Sequence, residues 1–448
     1  MTIIRNVLFT LFSVSLLNTY SAACQSGEMS HPAESSSADT GSDTPDSVYA
    51  ETITLESLID EAIARNPGLQ AHKRSFEASR ARIPQAGAWM DPKLNFSIMN
   101  FPVSEFGFDL EPMTQKQVSL MQSIPFPGIT GLKSDIASYE ADIAEQYVSE
   151  SENSIIKRIS VAFYEIAFID KAAGITKMNK ELLKSLHSIA AKKYEVGKGL
   201  QQDVLKAQVE ISKVTDRLIS YRARREAVVS ELNGLLNRPP GSPTGPLAAV
   251  EYAPVNIDIE QLRQAALTSQ PRLRVLRTEA QKNSAVVELS KKTYWPNFDL
   301  GIAYSQRDNR RDFFSAQFSV NLPIWKSRKQ DKQVEESILR LRSVERRQEE
   351  MRLSIDSQIA AVTAKIRESD ERLRLLRDVI IPQARQALNS AVSGYEVGNI
   401  DFLTLLNNQI TLFELEIDFH RLLSVYNKDI VSLEYIVGSR AEEHGLRH

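Results

Sequence analysis

The chain has 448 residues, and its 54 Lys and Arg against 57 Asp and Glu give a formal net charge of −3. This balance excludes a basic nucleic-acid-binding protein, and a hydrophobic fraction of 42% excludes a wholly disordered chain. Glycine and proline, with 18 of each, both occur less often than in an average protein, where they make up about 7% and 5% of residues. Because residues that break helices are scarce, the composition predicts a few long helices.

Residues 1–23 have the features of a secretory signal peptide. One cation, Arg5, precedes a short apolar run that ends in small residues at positions 21–23. Cleavage there would make Cys24, the only cysteine, the first residue, where a lipid could be attached as in bacterial lipoproteins. The alternative is ordinary cleavage that leaves an incidental cysteine. Residues 24–50, rich in Ser, Pro and Asp, are predicted to form a flexible tether, and residues 441–448 a C-terminal tail.

The rest of the chain contains two copies of one unit. Residues 62–69 correspond to 266–273 at an offset of 204, and 194–197 correspond to 395–398 at an offset of 201. Residues 51–245 therefore form a first structural repeat and residues 246–440 a second. Each repeat is predicted to contain a helix, two strands, a long helix, a tight turn and a further helix.

Two strands are predicted in each repeat, because apolar and polar residues alternate there. They lie at about 93–101 and 115–124 in the first repeat, and at about 297–305 and 315–323 in the second. Their length of about ten residues is typical of a tilted membrane-spanning strand, whereas the alternative is a soluble sheet packed on a core. Beyond the signal peptide no run of about 20 apolar residues occurs, so no transmembrane helix is predicted.

Two very long helices are predicted at residues 131–197 and 327–398, with apolar residues at steps of three and four as in a coiled coil. Each would extend over roughly 100 Å, and Pro382 is expected to kink the second. Shorter helices are predicted at 55–89, 202–237, 257–292 and 402–437. The expected molecule is mainly α with a small β part, a rod with strands at one end and helical turns at the other.

Four strands are too few to close a barrel, and open strand edges are not tolerated in lipid. Several copies must therefore share one barrel; three would supply twelve strands, although strand number alone also allows a dimer or a tetramer. The sequence contains no HExxH, GxSxG or phosphate-binding loop. We therefore predict no catalytic residue, no metal site and no cofactor.

The duplicated unit, together with residues 66–67, 122–128, 381–383 and 395–406, resembles the TolC-like outer-membrane efflux proteins. Residues 395–406 are similar to the heavy-metal efflux subgroup. The resemblance implies a homotrimer in the bacterial outer membrane, whose twelve-stranded β-barrel sits on a long periplasmic α-helical barrel. It also implies a periplasmic adaptor (membrane fusion) protein and an inner-membrane pump of RND or ABC type as partners, besides outer-membrane lipid. The protein would be the passive exit duct of a tripartite efflux or type I secretion system, with a metal ion, drug or protein as cargo. An exported structural coiled coil or adhesin without a transport role is the alternative.

The resemblance also places the two helical turns at the periplasmic tip, where an adaptor would dock. Gly197 and Gly398 are expected to end their helices in the left-handed conformation. Asp203 and Asp401 are candidates for an acidic gate ring; alternatively they cap helices or lie on solvated surface. The predicted docking residues are Tyr194, Val196, Gly197, Leu200, Tyr395, Val397, Gly398 and Ile400.

Overall fold

A computed structural model describes residues 52–439, apart from 104 and 106. The predicted signal peptide, Cys24, the tether and the C-terminal tail lie outside the described residues. The described part is mostly helical with one small sheet, as the sequence predicts.

The two repeats have the same order of elements. The first contains helices α1 (Leu55–Arg65) and α2 (Pro67–Gly87), strands β1 (Lys93–Met99) and β2 (Gln115–Ile124), and helices α3 (Ile129–Glu195) and α4 (Gln201–Leu235). The second contains helices α5 (Ile259–Ser269) and α6 (Pro271–Lys292), strands β3 (Phe298–Gln306) and β4 (Phe313–Val320), and helices α7 (Gln330–Leu375), α8 (Ile381–Glu396) and α9 (Phe402–Val437). A π-helical turn, Leu376–Ile380, joins α7 to α8.

Two strands end earlier than the alternation predicts. β1 stops at Met99, and the next residue, Asn100, has a positive φ of 54° that turns the chain. β4 begins at Phe313 and ends at Val320, close before Pro323, which has no N–H to donate to a neighbouring strand.

The helices predicted at 55–89 and 257–292 are each split in two at a proline. Asn66 precedes Pro67 and Gln270 precedes Pro271, and a residue before proline is disfavoured in the helical conformation. The Asn66 side chain accepts from the Leu69 N–H (3.1 Å) and donates to the Leu235 carbonyl (2.9 Å). Gln270 repeats this arrangement with Arg272 (3.0 Å) and Ile436 (3.3 Å). In each repeat one side-chain amide therefore caps the start of the second helix and binds the end of the last helix of that repeat.

The disturbance predicted at Pro382 takes the form of the π-helical turn. Pro382 is the second residue of α8, directly after the π-helical turn. Immediately before it, the Ile381 N–H donates to the Leu376 carbonyl, five residues back rather than four. The wider turn relieves the clash between a proline ring and the preceding helical carbonyl.

The four strands form one antiparallel sheet in the order β1-β2-β3-β4. The register pairs Leu94 with Leu120, Leu120 with Ile302, and Ile302 with Ala316, so even-numbered residues share one face. This face carries Leu94, Phe96, Ile98, Val118, Leu120, Leu300, Ile302, Tyr304, Phe314 and Phe318, each 40–73% exposed. The apolar face therefore does not pack on a core of the described chain, which contradicts the alternative of a soluble core-packed sheet.

The opposite face of the sheet is mostly polar. Ser97 donates to the Gln117 side chain (3.3 Å), and Ser123 donates to the Asp299 carboxylate. Within the described chain, the outer edges of β1 and β4 have no strand paired to them.

The main cores lie where the short helices meet the long ones. In the first repeat Leu58, Ile159 and Leu232 are buried together, and in the second Leu262, Ile359 and Leu423. The steps of three and four predicted on α3 and α7 point into these cores, since Ile155, Ile166, Ile355 and Ile366 are all buried. The duplication seen in the sequence is therefore also a duplication of the core.

Candidate functional site at the two helical turns

Each of the two turns closes a helical hairpin with the same backbone geometry. Gly197, between α3 and α4, has a φ of +71°, and Gly398, between α8 and α9, has a φ of +80°. The N–H of Lys198 donates to the Lys193 carbonyl (2.8 Å), and the N–H of Asn399 donates to the Gly394 carbonyl (2.8 Å). These bonds across five residues, with glycine in the left-handed conformation, define a Schellman motif at both turns. The left-handed conformation predicted for both glycines is therefore present.

The two acidic candidates have different roles in the turns. Asp401 is the N-cap of α9, and its carboxylate accepts from the Thr404 N–H (3.3 Å). Hydrogen bonds from Thr404 hold the pKa of Asp401 below its usual value. Asp203 is not a cap, because α4 starts after Leu200 and Asp203 lies within its first turn. The cap alternative therefore describes Asp401 and is wrong for Asp203.

The two hairpins pack on each other close to the turns. Phe402, Leu405 and Leu406 of α9 are buried in one cluster with residues of the other three helices. Tyr395 lies at the margin of this cluster, with its ring 5.9 Å from that of Phe402. The cluster members from the other three helices are Leu183, Leu186, Ala190, Ala207, Val214 and Ala391.

A lysine of the first hairpin contacts the tyrosine of the second. The Lys193 Nζ lies 3.7 Å from the centre of the Tyr395 ring and 3.4 Å from the Tyr395 carbonyl oxygen, to which it donates. Burial, with the nearby charge of Asp203, raises the pKa of Tyr395. Lys193, Asp203 and Tyr395 thus form a small polar group that joins the hairpins at the turns. Sequence analysis missed Lys193, since a cation–π contact between segments distant in the chain leaves no local pattern.

The predicted docking residues divide into an exposed and a packed group. Val196 and Val397, next to the glycines, are 67% and 72% exposed, and Tyr194 and Leu200 are also exposed. Tyr395 and Ile400 are partly buried between the hairpins instead. A Cβ on Gly394 would lie 2.6 Å from the Ile400 Cδ1, so this glycine makes room for Ile400. The two turns therefore have the same backbone conformation but expose different side chains.

The two turns also differ in charge. Residues 192–206 contain four lysines and two acidic residues, a formal charge of +2, whereas 393–407 contain two acidic residues and no Lys or Arg, a charge of −2. Lys192, Lys198 and Lys206 are exposed, and Ser393, Asn399 and Asn407 occupy the equivalent positions in the second repeat. Alignment of the repeats at the offset of 201 could have revealed this difference from the sequence.

His420 of α9 lies near α3, away from the turns, and its pKa predicts how the stability of the fold depends on pH. Burial, and then the charge of Lys171, lower the pKa of His420 to about 4. In the unfolded chain a histidine has a pKa of about 6.5, so protons favour the unfolded state as the pH falls from about 6.5 towards 4. The stabilisation by neutral His420 is present above this window and is lost within it.

The prediction is tested by measuring the Tm of variants at pH 7 and pH 5. We expect the Tm of His420→Gln to fall less than that of the parent protein between these two pH values. The Tm of His72→Gln, a change at an exposed position, should fall as much as that of the parent.

Two structural features bear on membranes and metals. In the part of the chain that the structure describes, no helix combines the length and apolarity needed to cross a membrane. Among the same residues, no group of three or more His, Cys, Asp or Glu is placed to hold a metal ion.

Comparison with known families matches the two repeats separately. Residues 58–238 and 262–439 match the family described as outer membrane efflux protein. The chain belongs to the outer membrane efflux protein family. This membership confirms the resemblance found in the sequence and the predicted location in the bacterial outer membrane.

Individual relatives are distant but cover nearly the whole described chain. The cobalt-zinc-cadmium resistance protein CzcC of Cupriavidus metallidurans is 21% identical over 87% of this chain and 91% of its own. The outer membrane protein VceC of Vibrio cholerae is 18% identical, with a TM-score of 0.74 over 86% of this chain and 96% of its own. CusC is 13% identical, with a TM-score of 0.73 over 86% of this chain and 92% of its own. The solved structures thus share the fold of this chain.

Proposed function

We propose that three copies of this protein form the passive exit duct of a tripartite efflux or type I secretion system. In this arrangement each copy contributes four strands to a twelve-stranded barrel in the outer membrane. The helices form a tunnel in the periplasm, and a periplasmic adaptor connects it to an inner-membrane pump of RND or ABC type. Family membership favours this proposal over an exported structural coiled coil or adhesin.

The observation that carries the proposal is the four-stranded sheet. One of its faces is apolar and exposed, the other is mostly polar, and both edges are unpaired within the described chain. In lipid the apolar face would be favourable, but each unpaired edge would leave backbone N–H and C=O groups without partners. Pairing β1 of one copy with β4 of the next satisfies both edges and directs the polar face to a water-filled lumen. A trimer therefore pairs the two strand edges that a single chain would leave unpaired in lipid.

The turns support the second part of the proposal, that an adaptor docks at the periplasmic end. Val196 and Val397 present apolar side chains on tight, well-defined turns at the far end of α3, which extends over about 100 Å. The opposite charges of the two turns fit an adaptor that offers an acidic surface to the first and a basic surface to the second. Docking residues in this proposal are Tyr194, Val196, Gly197, Leu200, Val397 and Gly398.

Divalent metal cations are the cargo that the comparisons favour. The relative CzcC is named for resistance to cobalt, zinc and cadmium, and residues 395–406 are similar to the heavy-metal efflux subgroup. A water-filled duct needs no specific metal site, because selection of the cargo takes place at the pump.

The proposal is tested by assembly and conductance of the purified mature protein. In detergent we expect chemical cross-linking to give trimers and no larger species, and in planar bilayers we expect stepwise ionic currents. A water-soluble monomer that never inserts into a bilayer would contradict the proposal. Tolerance of cobalt, zinc and cadmium by a strain that lacks the gene, compared with its complemented form, tests the cargo separately.

A further inference from the structure

Aromatic side chains surround the end of the sheet that adjoins the helices. The protein has three tryptophans, and all three are here: Trp89 precedes β1, Trp295 precedes β3 and Trp325 follows β4. They are 58%, 58% and 68% exposed, so none is a core residue. Phe126, just after β2, stacks on Trp295 with 5.2 Å between the ring centres. We call this group, with Lys292, Tyr294 and the residues 321–329 that follow β4, the junction belt.

The junction belt also carries cations that no carboxylate neutralises in the described chain. Lys292, Lys326, Arg328 and Lys329 take part in none of the ion pairs found among the described residues. Lys292 instead lies over the Phe126 ring (5.5 Å), and Lys326 lies over the Tyr294 ring (5.0 Å). Nearby helical lysines differ, since Lys291 pairs with Glu288 (2.7 Å) and Lys332 with Glu335 (2.6 Å).

The segment after β4 is ordered by its own backbone. The N–H groups of Arg328 and Lys329 both donate to the Trp325 carbonyl, at 3.1 and 3.0 Å. Leu322 and Ile324, which lead into this turn, are each 71% exposed. Apolar side chains, an indole and three exposed cations therefore follow one another within eight residues, from the edge of the sheet towards α7.

We propose that the junction belt binds the headgroups of anionic phospholipids in the leaflet on the helical side of the membrane. The inference rests on the proposed function, because it requires that the sheet lies in a bilayer. Indoles favour the boundary between the hydrocarbon and the headgroups, and a cation close to an anionic surface gains about 1 kcal/mol. Exposed apolar groups beside unpaired cations match a lipid that offers acyl chains and a phosphate together. A zwitterionic lipid offers the chains without a net charge, so the belt selects among lipids.

The three tryptophans make this site directly observable. The mature protein is reconstituted into phosphatidylcholine vesicles that contain a fixed fraction of acyl-brominated lipid, either phosphatidylglycerol or phosphatidylcholine. Bromine quenches a tryptophan only at close range, so the ratio of the two quenching efficiencies reports the preference of the belt for the anionic lipid. We expect brominated phosphatidylglycerol to be favoured by about fivefold or more, since 1 kcal/mol corresponds to about that factor. High salt should reduce the preference.

The deciding variant removes the exposed cations, as Lys326→Gln, Arg328→Gln and Lys329→Gln together. We expect its preference to fall to about one while quenching by brominated phosphatidylcholine persists. The matched control, Lys192→Gln, Lys198→Gln and Lys206→Gln at the first turn, removes the same charge elsewhere and should keep the preference.

Three outcomes overturn the inference. Equal quenching by both lipids in the parent protein shows that the belt does not select anionic lipid. A preference that survives in the belt variant assigns the selection to other residues. Absence of quenching by either lipid shows instead that the sheet is not in the bilayer, and this result overturns the proposed function as well. Capture of an acidic protein by the belt in place of lipid would appear as the first outcome.

Discussion

Gly398→Val is expected to abolish export while folded trimers remain in the outer membrane. Gly398 has a φ of +80°, a conformation that costs an ordinary residue about 1–2 kcal/mol and a β-branched residue more. Relief of this strain breaks the Schellman bond from the Asn399 N–H to the Gly394 carbonyl and displaces exposed Val397. A cost of 1.4 kcal/mol reduces the population of the native turn about tenfold. Because the strands lie at the other end of the long helices, trimer assembly should be unaffected.

The measurement compares metal tolerance and the amount of trimer in outer-membrane fractions for the same cells. Gly174→Ala is the matched control, because Gly174 lies inside α3 and a Cβ there would meet no atom within 4 Å. Alanine favours the helix by up to about 1 kcal/mol, so this control should export normally. Normal export by Gly398→Val would show that the turn has no role in docking. Loss of the trimer together with export would instead indicate a role in folding.

Patterns that repeat locally were readable from the sequence. The period-two alternation located all four strands, and the steps of three and four identified the buried residues of α3 and α7. The two glycines at an offset of 201 marked both turns, because few other residues accept a positive φ. In each case the signal lies within a few neighbouring positions, where one physical constraint determines the local structure.

Features that depend on contacts between segments distant in the chain were not readable. The periodicity continues through Asn66 and Gln270, so single helices were predicted where the structure has two. Their amides are useful only because the ends of α4 and α9 lie within 3.3 Å, which the local sequence does not reveal. In the same way Tyr194 and Tyr395 each begin the same four residues, Tyr-Glu-Val-Gly, but Tyr194 is exposed and Tyr395 packs on Phe402. The different packing of two equivalent tyrosines is therefore visible only in the folded chain.

In the proposed duct, Lys193→Glu is expected to loosen the end that the two turns form. Lys193 bridges the hairpins by its cation–π contact with the Tyr395 ring, worth about 0.5–2 kcal/mol, and by its hydrogen bond to the Tyr395 carbonyl. A glutamate there faces the electron-rich ring and adds a second negative charge close to Asp203. The contacts of residue 193 with the Tyr395 ring and with the Tyr395 carbonyl both become repulsive, so the hairpins should separate more often. We expect higher mean conductance in planar bilayers and greater sensitivity of cells to large hydrophilic antibiotics.

Lys192→Glu separates this contact from the effect of net charge. It makes the same change one residue away, on an exposed side chain that has no contact with Tyr395 in the described structure. Equal leakage in the two variants would therefore contradict a role for the bridge. Tyr395→Phe retains the ring and should behave as the parent, whereas Tyr395→Leu should leak. Since Lys193 and Tyr395 act through one contact, the Lys193→Glu and Tyr395→Leu double variant should leak less than the sum of the single effects. Strict additivity would instead mean that each residue acts through a different partner.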